Sequence, residues 1–222
     1  MTKKFAVLGK PINHSKSPII HSTIFSILGI DATYQAIELG DGLPEFLRSH
    51  TDFTGFSITM PLKDQAFAIS QDLDEAARAT RSVNTLLRYE DGWNGFNTDT
   101  FGIQMALKDA DLSSVLVIGT GATARSAIVA LRALSSNVKV WGRNQESSGS
   151  LAMEFSVEVA GNIAEASKSS AVVSTLPALA LDGLLFQIVN PIGTLLDVAY
   201  HPWPSRAAEY WVKSGKAISG IE

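Results

Sequence analysis

The 222-residue sequence contains no cysteine. Disulfide bridges, thiolate metal sites and cysteine nucleophiles are therefore excluded, and the absence is compatible with a cytoplasmic protein. The four histidines, at positions 14, 21, 50 and 201, form neither an H-x-H nor an H-E-x-x-H pattern. We therefore expect no metal site.

The sequence also has little net charge and no long apolar run. It carries 22 acidic and 18 basic residues, which give a formal net charge of −4. This balance argues against nucleic acid or an anionic membrane as the main partner. The apolar stretch near the N-terminus is too short for a signal peptide. The one at residues 170–200 is interrupted by Pro177, Asp182 and Pro191, so it does not fit a membrane span. We expect a soluble cytoplasmic protein.

Apolar periodicity predicts alternating strands and helices, and no repeat stands out. The predicted strands lie at residues 5–8, 33–39, 55–59, 83–88, 92–96, 115–118, 138–141, 171–175 and 194–198. The predicted helices lie at residues 18–28, 43–48, 72–79, 101–108 and 122–134. This alternation indicates βαβ units and parallel sheets. We predict two α/β domains, residues 1–100 and 101–222, with a cleft between them.

The segment VLVIGTGATARSA, residues 115–127, has a strand, a glycine turn and a helix start in that order. Gly119 permits a tight turn, and Gly121 lets the backbone approach a phosphate closely, at the positive end of the helix dipole. The order is typical of a Rossmann-type dinucleotide-binding domain. The alternative is an ordinary bend. The predicted cofactor residues of the turn are Gly119, Thr120, Gly121, Ala122, Thr123 and Ala124.

The next predicted strand ends in Gly142, Arg143 and Asn144. NAD-binding proteins tend to carry an acidic residue there, which binds the ribose hydroxyls. An arginine instead suits the 2′-phosphate of NADP, so we expect NADP(H) as the cofactor. A solvated charge at the end of a strand is the alternative for Arg143.

The first half of the chain carries polar residues with two possible roles each. Ser15 and Ser17 stand at the entry to a helix, where hydroxyls either cap the helix or bind a carboxylate. Lys63 follows a strand and a proline in GFSITMPLK, so it is either a surface charge or an active-site ammonium group. Asn84 and Asp99 stand in the segments VNT and NTD, which suit a turn or helix cap as well as a binding site.

Taken together, the motifs narrow these choices. They are GKPINHSKSP at 9–18, ITMPLK at 58–63, VNT at 83–85, NTD at 97–99, STLP at 174–177, and DVAYHPWPS at 197–205 with ISG at 218–220. In this order, and over nearly the whole chain, they resemble the shikimate dehydrogenase family. The resemblance implies reversible, NADPH-dependent reduction of 3-dehydroshikimate to shikimate in aromatic amino acid (chorismate) biosynthesis. It also implies a monomer or homodimer.

The resemblance implies roles for individual residues. Lys63 would be the acid/base, paired with Asp99, and Ser15 and Ser17 would hold the substrate carboxylate. The implied substrate-binding residues are Ser15, Ser17, Thr59, Asn84, Asp99 and Tyr200. Besides the glycine turn, the implied cofactor residues are Glu75, Gly142, Arg143, Asn144, Thr175 and Gly220.

Some positions depart from the family pattern. Ser57 stands where relatives often have asparagine, and Arg81 stands where they often have a small residue. Relatives continue past the position of Glu222 into a helix that returns to the first domain and supplies a glutamine to the substrate. Under the resemblance, either the sequence is a truncated chain or the enzyme lacks that helix. Two alternatives remain. One is an NAD-preferring quinate/shikimate dehydrogenase, which Arg143 opposes. The other is a non-catalytic NADP-binding sensor, which the presence of Lys63 and Asp99 opposes.

Overall fold

The computed structural model describes residues 2–135 and 137–221. Met1, Ser136 and Glu222 lie outside the described residues. The predicted second domain ends at Glu222, so its last residue is one of these three. The chain divides into two compact units, Met1–Thr98 and Asp99–Glu222. Within the described ranges, no helix is long and apolar enough to cross a membrane.

Unit 1 is an α/β unit built on one mixed sheet. Its strands are β1 (Lys3–Gly9), β2 (Ala32–Glu38), β3 (Gly55–Ile58), β4 (Asp72–Leu73), β5 (Thr85–Tyr89) and β6 (Gly92–Phe96). Its helices are α1 (Ser17–Leu28), α2 (Leu43–Ser49), α3 (Lys63–Ile69) and α4 (Glu75–Thr80). The strand order is β2-β1-β3-β5-β6-β4. The strands β2, β1 and β3 are parallel, whereas β5 runs antiparallel to both β3 and β6.

The two faces of this sheet are covered differently. One face buries a core that includes Leu8, Phe56 and Leu86. The other carries α1, none of whose residues is buried. Phe25 of α1 contacts Phe5 of β1, with 5.5 Å between ring centroids. Few packing contacts therefore hold α1 in place on the sheet.

Unit 2 is built on a second six-stranded sheet. Its strands are β7 (Val115–Ile118), β8 (Val138–Trp141), β9 (Glu158–Val159), β10 (Ala171–Ser174), β11 (Thr194–Asp197) and β12 (Lys216–Ser219). Its α-helices are α5 (Asp99–Ala106), α6 (Ala122–Arg132), α7 (Gln145–Phe155) and α8 (Arg206–Trp211), and two 3₁₀ helices span Ile163–Ser167 and Asp182–Gln187.

The strand order of unit 2 is β12-β11-β10-β7-β8-β9, and every pair is parallel. In order of appearance this is 3-2-1-4-5-6 read from the other edge, the order of the dinucleotide-binding Rossmann fold. The strands β7, β10 and β11 are buried along their whole length, as expected of parallel strands covered on both faces. The predicted fold class, two α/β parts of which the second is Rossmann-type, is confirmed.

One predicted helix starts at the wrong residue, and three α-helices, α3, α7 and α8, were not predicted. The predicted helix at 72–79 is wrong at its start, because Asp72 and Leu73 form β4 beside β6. The side chain of Asp74 then accepts a hydrogen bond from the Ala77 N–H at 2.6 Å and caps α4. Periodicity also missed α3, in which Ala66 alone is buried. It missed α7 as well, whose first half is rich in serine and glycine.

Candidate active site

The predicted cofactor residues of unit 2 gather at one edge of its sheet. Each follows the carboxyl end of a parallel strand, as does Tyr200: Gly119 follows β7, Gly142 follows β8, Thr175 follows β10, Tyr200 comes shortly after β11, and Gly220 follows β12. The strand order reverses between β7 and β10. Ligands of open α/β sheets bind outside the carboxyl ends of the strands at such a reversal.

The glycine turn between β7 and α6 fits a dinucleotide pyrophosphate. The backbone φ of Gly119 is 122°, which favours glycine, and a Cβ atom there would overlap Thr175 Oγ1. A Cβ atom on Gly121 would meet nothing within 4 Å. Gly121 caps α6 without a side-chain hydrogen bond, and the first turn of α6 carries no acidic residue. The helix start therefore offers backbone N–H groups and a positive dipole end to an anion.

The segment after β8 contains two residues that support the fold and one exposed basic residue. A Cβ atom on Gly142 would lie 2.6 Å from Thr120 Cγ2, so Gly142 keeps the two turns close together. The side chain of Asn144 accepts a hydrogen bond from the Ser147 N–H at 3.1 Å and caps α7. Arg143 between them is exposed. Arg143 is thus the residue of this segment whose charged side chain is accessible to a phosphate group.

Asp197, the last residue of β11, organises the loop that carries Tyr200. Its side chain accepts hydrogen bonds from Ser205 Oγ at 2.9 Å and from the Ala199 N–H at 3.3 Å. Ser205 in turn caps α8, because its Oγ accepts from the Ala208 N–H at 3.1 Å. Burial raises the pKa of the Asp197 carboxyl, and the hydrogen bond from Ser205 opposes the rise. Both ends of the loop are therefore tied to one carboxyl group.

Unit 1 also gathers its predicted site residues at one edge of its sheet. Thr59 follows β3 and Asn84 precedes the antiparallel β5, and the Ile58 N–H donates to the Asn84 carbonyl at 2.7 Å. Lys63 is the first residue of α3, and its carbonyl accepts from the Val83 N–H at 3.3 Å. Thr59, Lys63 and Asn84 are therefore brought together.

The NTD segment contains one residue that reaches this edge and one that supports the fold. Asn84 Nδ2 donates to Thr98 Oγ1 at 2.9 Å, and the Thr98 N–H donates to Asn84 Oδ1 at 3.2 Å. Asn97 is 2% exposed, and its Nδ2 donates to Thr80 Oγ1 and to the Ser82 carbonyl, both at 2.9 Å. Asp99 is the next residue in the chain after Thr98 and begins α5 in unit 2.

The serine pair has neighbours that sequence reasoning missed. The Ser17 N–H donates to Ser15 Oγ at 3.3 Å, so Ser15 supports the start of α1. Tyr34 of β2 donates its hydroxyl hydrogen to Ser57 Oγ of β3 at 2.6 Å. This contact gives Ser57 a partner. The sequence carried no local signal for it, because β1 lies between β2 and β3.

Comparison with known proteins shows which family the chain belongs to. A family model of the shikimate dehydrogenase substrate binding domain matches residues 7–86. A shikimate dehydrogenase (NADP(+)) of Thermus thermophilus is 31% identical over 228 residues, which cover 98% of this chain and 86% of the relative. The chain belongs to the shikimate dehydrogenase family. The resemblance inferred from the motifs is confirmed.

Other members of the family align over different lengths. The shikimate dehydrogenase (NADP(+)) of Anaeromyxobacter dehalogenans strain 2CP-1 is 36% identical over 166 residues, or 72% of this chain. In that match the chain spans 60% of the relative's length.

Solved structures of the family have the same fold. The shikimate dehydrogenase of Mycobacterium tuberculosis has a TM-score of 0.86 at 34% identity and covers 99% of this chain, which spans 87% of that one. The shikimate 5-dehydrogenase of Thermus thermophilus, solved with NADP(H) and shikimate, has a TM-score of 0.88 at 30% identity over the same shares.

Two further expected site residues are exposed. Glu75 is the first residue of α4 in unit 1. Gly220 lies just after β12 in unit 2, where an added Cβ atom would overlap the Val198 carbonyl oxygen. Among the described residues there is no group of three or more histidine and acidic side chains that could hold a metal ion. The roles of the individual residues stay predictions.

Proposed function

We propose that this protein catalyses the reversible, NADPH-dependent reduction of 3-dehydroshikimate to shikimate, a step of aromatic amino acid biosynthesis. The observation that carries the proposal is the position of Lys63. It starts α3 at the edge of unit 1 where Thr59 and Asn84 also lie. A cationic donor beside hydroxyl and amide groups suits a polyhydroxylated ketone whose oxygen becomes negative during reduction.

The two units divide the reaction between them in this proposal. Unit 1 supplies Ser15 and Ser17 for the substrate carboxylate and Thr59 and Asn84 for the ring hydroxyls. Asp99 and Tyr200 of unit 2 are proposed as further substrate contacts. Unit 2 binds NADP(H) along the carboxyl edge of its sheet, with Gly119 to Ala124, Gly142 to Asn144, Thr175 and Gly220. Glu75, exposed at the start of α4 in unit 1, is proposed as a further cofactor contact.

Lys63 moves the proton of the reaction. Bound NADPH supplies a hydride to the carbonyl carbon of the ketone. The ammonium group of Lys63 stabilises the negative charge on the ketone oxygen and donates a proton to it, so that a hydroxyl group results. In the reverse direction neutral Lys63 accepts that proton. Asp99 is proposed as the carboxylate partner that orients the ammonium group.

Arg143 supports NADP(H) rather than NAD(H) as the cofactor. It is exposed, and it is the basic residue of the segment from the end of β8 through α7. The guanidinium group can bind the 2′-phosphate with two hydrogen bonds, which the hydroxyl of NAD does not match. We propose further that the protein works in the cytoplasm as a monomer or homodimer, on a small molecule and without a nucleic acid or membrane partner.

The test is the identity of the product. The full chain is incubated with NADPH and 3-dehydroshikimate, and both NADPH consumption and shikimate formation are measured by chromatography. One shikimate per NADPH is expected, with a much lower rate from NADH. NADPH binding without turnover of 3-dehydroshikimate would instead support a sensor. Equal rates from NADPH and NADH would remove the role given to Arg143.

A further inference from the structure

His21 lies one turn after Ser17 in α1 and folds back onto the start of the helix. Its Nδ1 is 2.9 Å from the Ser17 carbonyl oxygen. A carbonyl only accepts hydrogen bonds, so Nδ1 carries the hydrogen and donates it. The imidazole ring also stacks on the ring of Tyr34, with 4.2 Å between centroids and 14° between planes. His21 therefore contacts both the backbone of Ser17 and the side chain of Tyr34.

Tyr34 passes this contact on to Ser57. Its hydroxyl donates to Ser57 Oγ at 2.6 Å, and the side chain of Ser17 lies near it. Burial raises the pKa of the Tyr34 phenol above its usual value. The hydroxyl thus keeps its hydrogen at neutral pH, and its hydrogen bond to Ser57 stays intact.

The fold gives α1 little other support at this end. None of its residues is buried, and its N-cap, Lys16, makes no side-chain capping hydrogen bond. The serine hydroxyls at the helix start are therefore not positioned by a packed core. The stacked pair of His21 and Tyr34 is one of the contacts that fix them, beside the aromatic contact of Phe25 with Phe5 further along the helix.

We propose that His21 is a positioning residue for substrate binding. Its ring holds the Tyr34 hydroxyl in place and its Nδ1 holds the Ser17 backbone, so that the serine hydroxyls are preorganised for the substrate carboxylate. This inference rests on the proposed function, because the substrate carboxylate at Ser15 and Ser17 is part of that proposal. It is a role that acts through neighbours, not a direct contact with the reacting atoms.

The variants separate stacking from hydrogen bonding. His21→Ala removes both interactions, His21→Phe keeps a ring to stack on Tyr34 but loses the Nδ1 donor, and Tyr34→Phe keeps the stacked ring but loses the hydroxyl. For each we measure kcat, KM for shikimate and KM for NADP, the calorimetric Kd of shikimate without cofactor, and the melting temperature. The calorimetric Kd judges binding even where turnover is absent.

His21→Ala should raise KM and Kd for shikimate about three- to tenfold, the effect of one net hydrogen bond. The KM for NADP should stay within about twofold, since only substrate positioning changes. His21→Phe should recover part of the loss. In a Tyr34→Phe background, His21→Ala should add less than it does alone, because part of the effect of His21 acts through the Tyr34 hydroxyl on which its ring stacks.

A lower melting temperature with unchanged KM and Kd for shikimate would overturn the proposal and leave His21 a packing residue. Equal increases in the KM values for shikimate and NADP would overturn it too. If the wild-type protein binds shikimate but does not turn it over, the proposed function fails while the Kd values of the variants still decide the role of His21. If the wild-type protein does not bind shikimate at all, both proposals fail.

Discussion

Thr175 occupies the space beside Gly119 at the point where the strand order of unit 2 reverses. Thr175 Oγ1 donates to the Ile118 carbonyl at 3.0 Å, and the Thr175 N–H donates to the same carbonyl at 2.9 Å. A Cβ atom on Gly119 would overlap Thr175 Oγ1. The turn that opens the proposed cofactor site is therefore fixed by a side chain that directly follows the neighbouring strand β10, and not only by its own glycines.

Gly119→Ala and Gly121→Ala should fail in different ways. The first should lower the free energy of unfolding by about 1–3 kcal/mol, because the new side chain meets Thr175 and the φ of 122° is strained for alanine. The second should leave the free energy of unfolding nearly unchanged, because its Cβ atom points into open space. It should nevertheless weaken NADPH binding, since a phosphate is proposed to approach there. Urea unfolding and calorimetric titration with NADPH measure the two effects.

Gly149→Ala is the matched control. Gly149 lies inside α7 and an added Cβ atom would meet nothing within 4 Å. Alanine should raise the free energy of unfolding by about 0.5–1 kcal/mol without changing NADPH affinity. If Gly119→Ala is as stable as Gly149→Ala, the contact with Thr175 does not constrain the turn.

Arg143→Ala should raise the KM for NADPH about tenfold or more, the loss expected for hydrogen bonds to a charged group. The KM for NADH should stay within about twofold, because NADH has no 2′-phosphate. Steady-state rates with both cofactors measure this. Arg132→Ala is the control. Arg132 lies in the last turn of α6, at the opposite end from the glycine turn, and its replacement should change neither KM value. An equal loss with both cofactors would show that Arg143 does not read the phosphate.

Asp197→Asn should change how stability depends on pH. Burial raises the pKa of Asp197 above 3.8, so the folded state holds its proton to higher pH than the unfolded state does. The wild-type protein should therefore lose stability relative to the variant as pH rises from about 4 through the raised folded-state pKa. Urea unfolding of both proteins between about pH 4 and pH 7 measures the difference. A wild-type protein that gains stability relative to the variant over this range would contradict the assignment.

Asn97→Ala should act on stability and not directly on chemistry. Loss of the two hydrogen bonds that its Nδ2 donates, to Thr80 Oγ1 and the Ser82 carbonyl, in a buried position should lower the free energy of unfolding by about 1–3 kcal/mol. Asn137→Ala, at an exposed position, is the control and should have little effect. An Asn97→Ala protein as stable as the control would mean that other groups satisfy these acceptors.

Local sequence signals predicted the carboxyl edge of unit 2 but not all of unit 1. Short apolar runs such as β7 and β10 indicate buried parallel strands, and the glycine turn between β7 and α6 indicates where the chain changes direction. The contact of Tyr34 with Ser57 could not be predicted, because it joins strands that lie on either side of β1. Its formation depends on register across three strands, which a single sequence does not reveal.

Lys63 shows a related limit. The motif identified the residue, but periodicity missed that it begins α3, since a seven-residue helix with one buried alanine has almost no apolar stripe. Its position follows from a tertiary contact, the hydrogen bond from the Val83 N–H, next to Asn84 in the chain. The motif thus singled out Lys63 in the sequence, while its position beside Thr59 and Asn84 required the fold.

The most direct test of the proposed reaction compares Lys63→Ala with the wild-type protein in reduction of 3-dehydroshikimate by NADPH. Removal of the proton donor should lower kcat by roughly a hundredfold or more, with the KM for 3-dehydroshikimate and the melting temperature little changed. A variant that keeps the wild-type kcat at saturating substrate, whether or not its KM for 3-dehydroshikimate rises, would contradict the role of Lys63 in proton transfer.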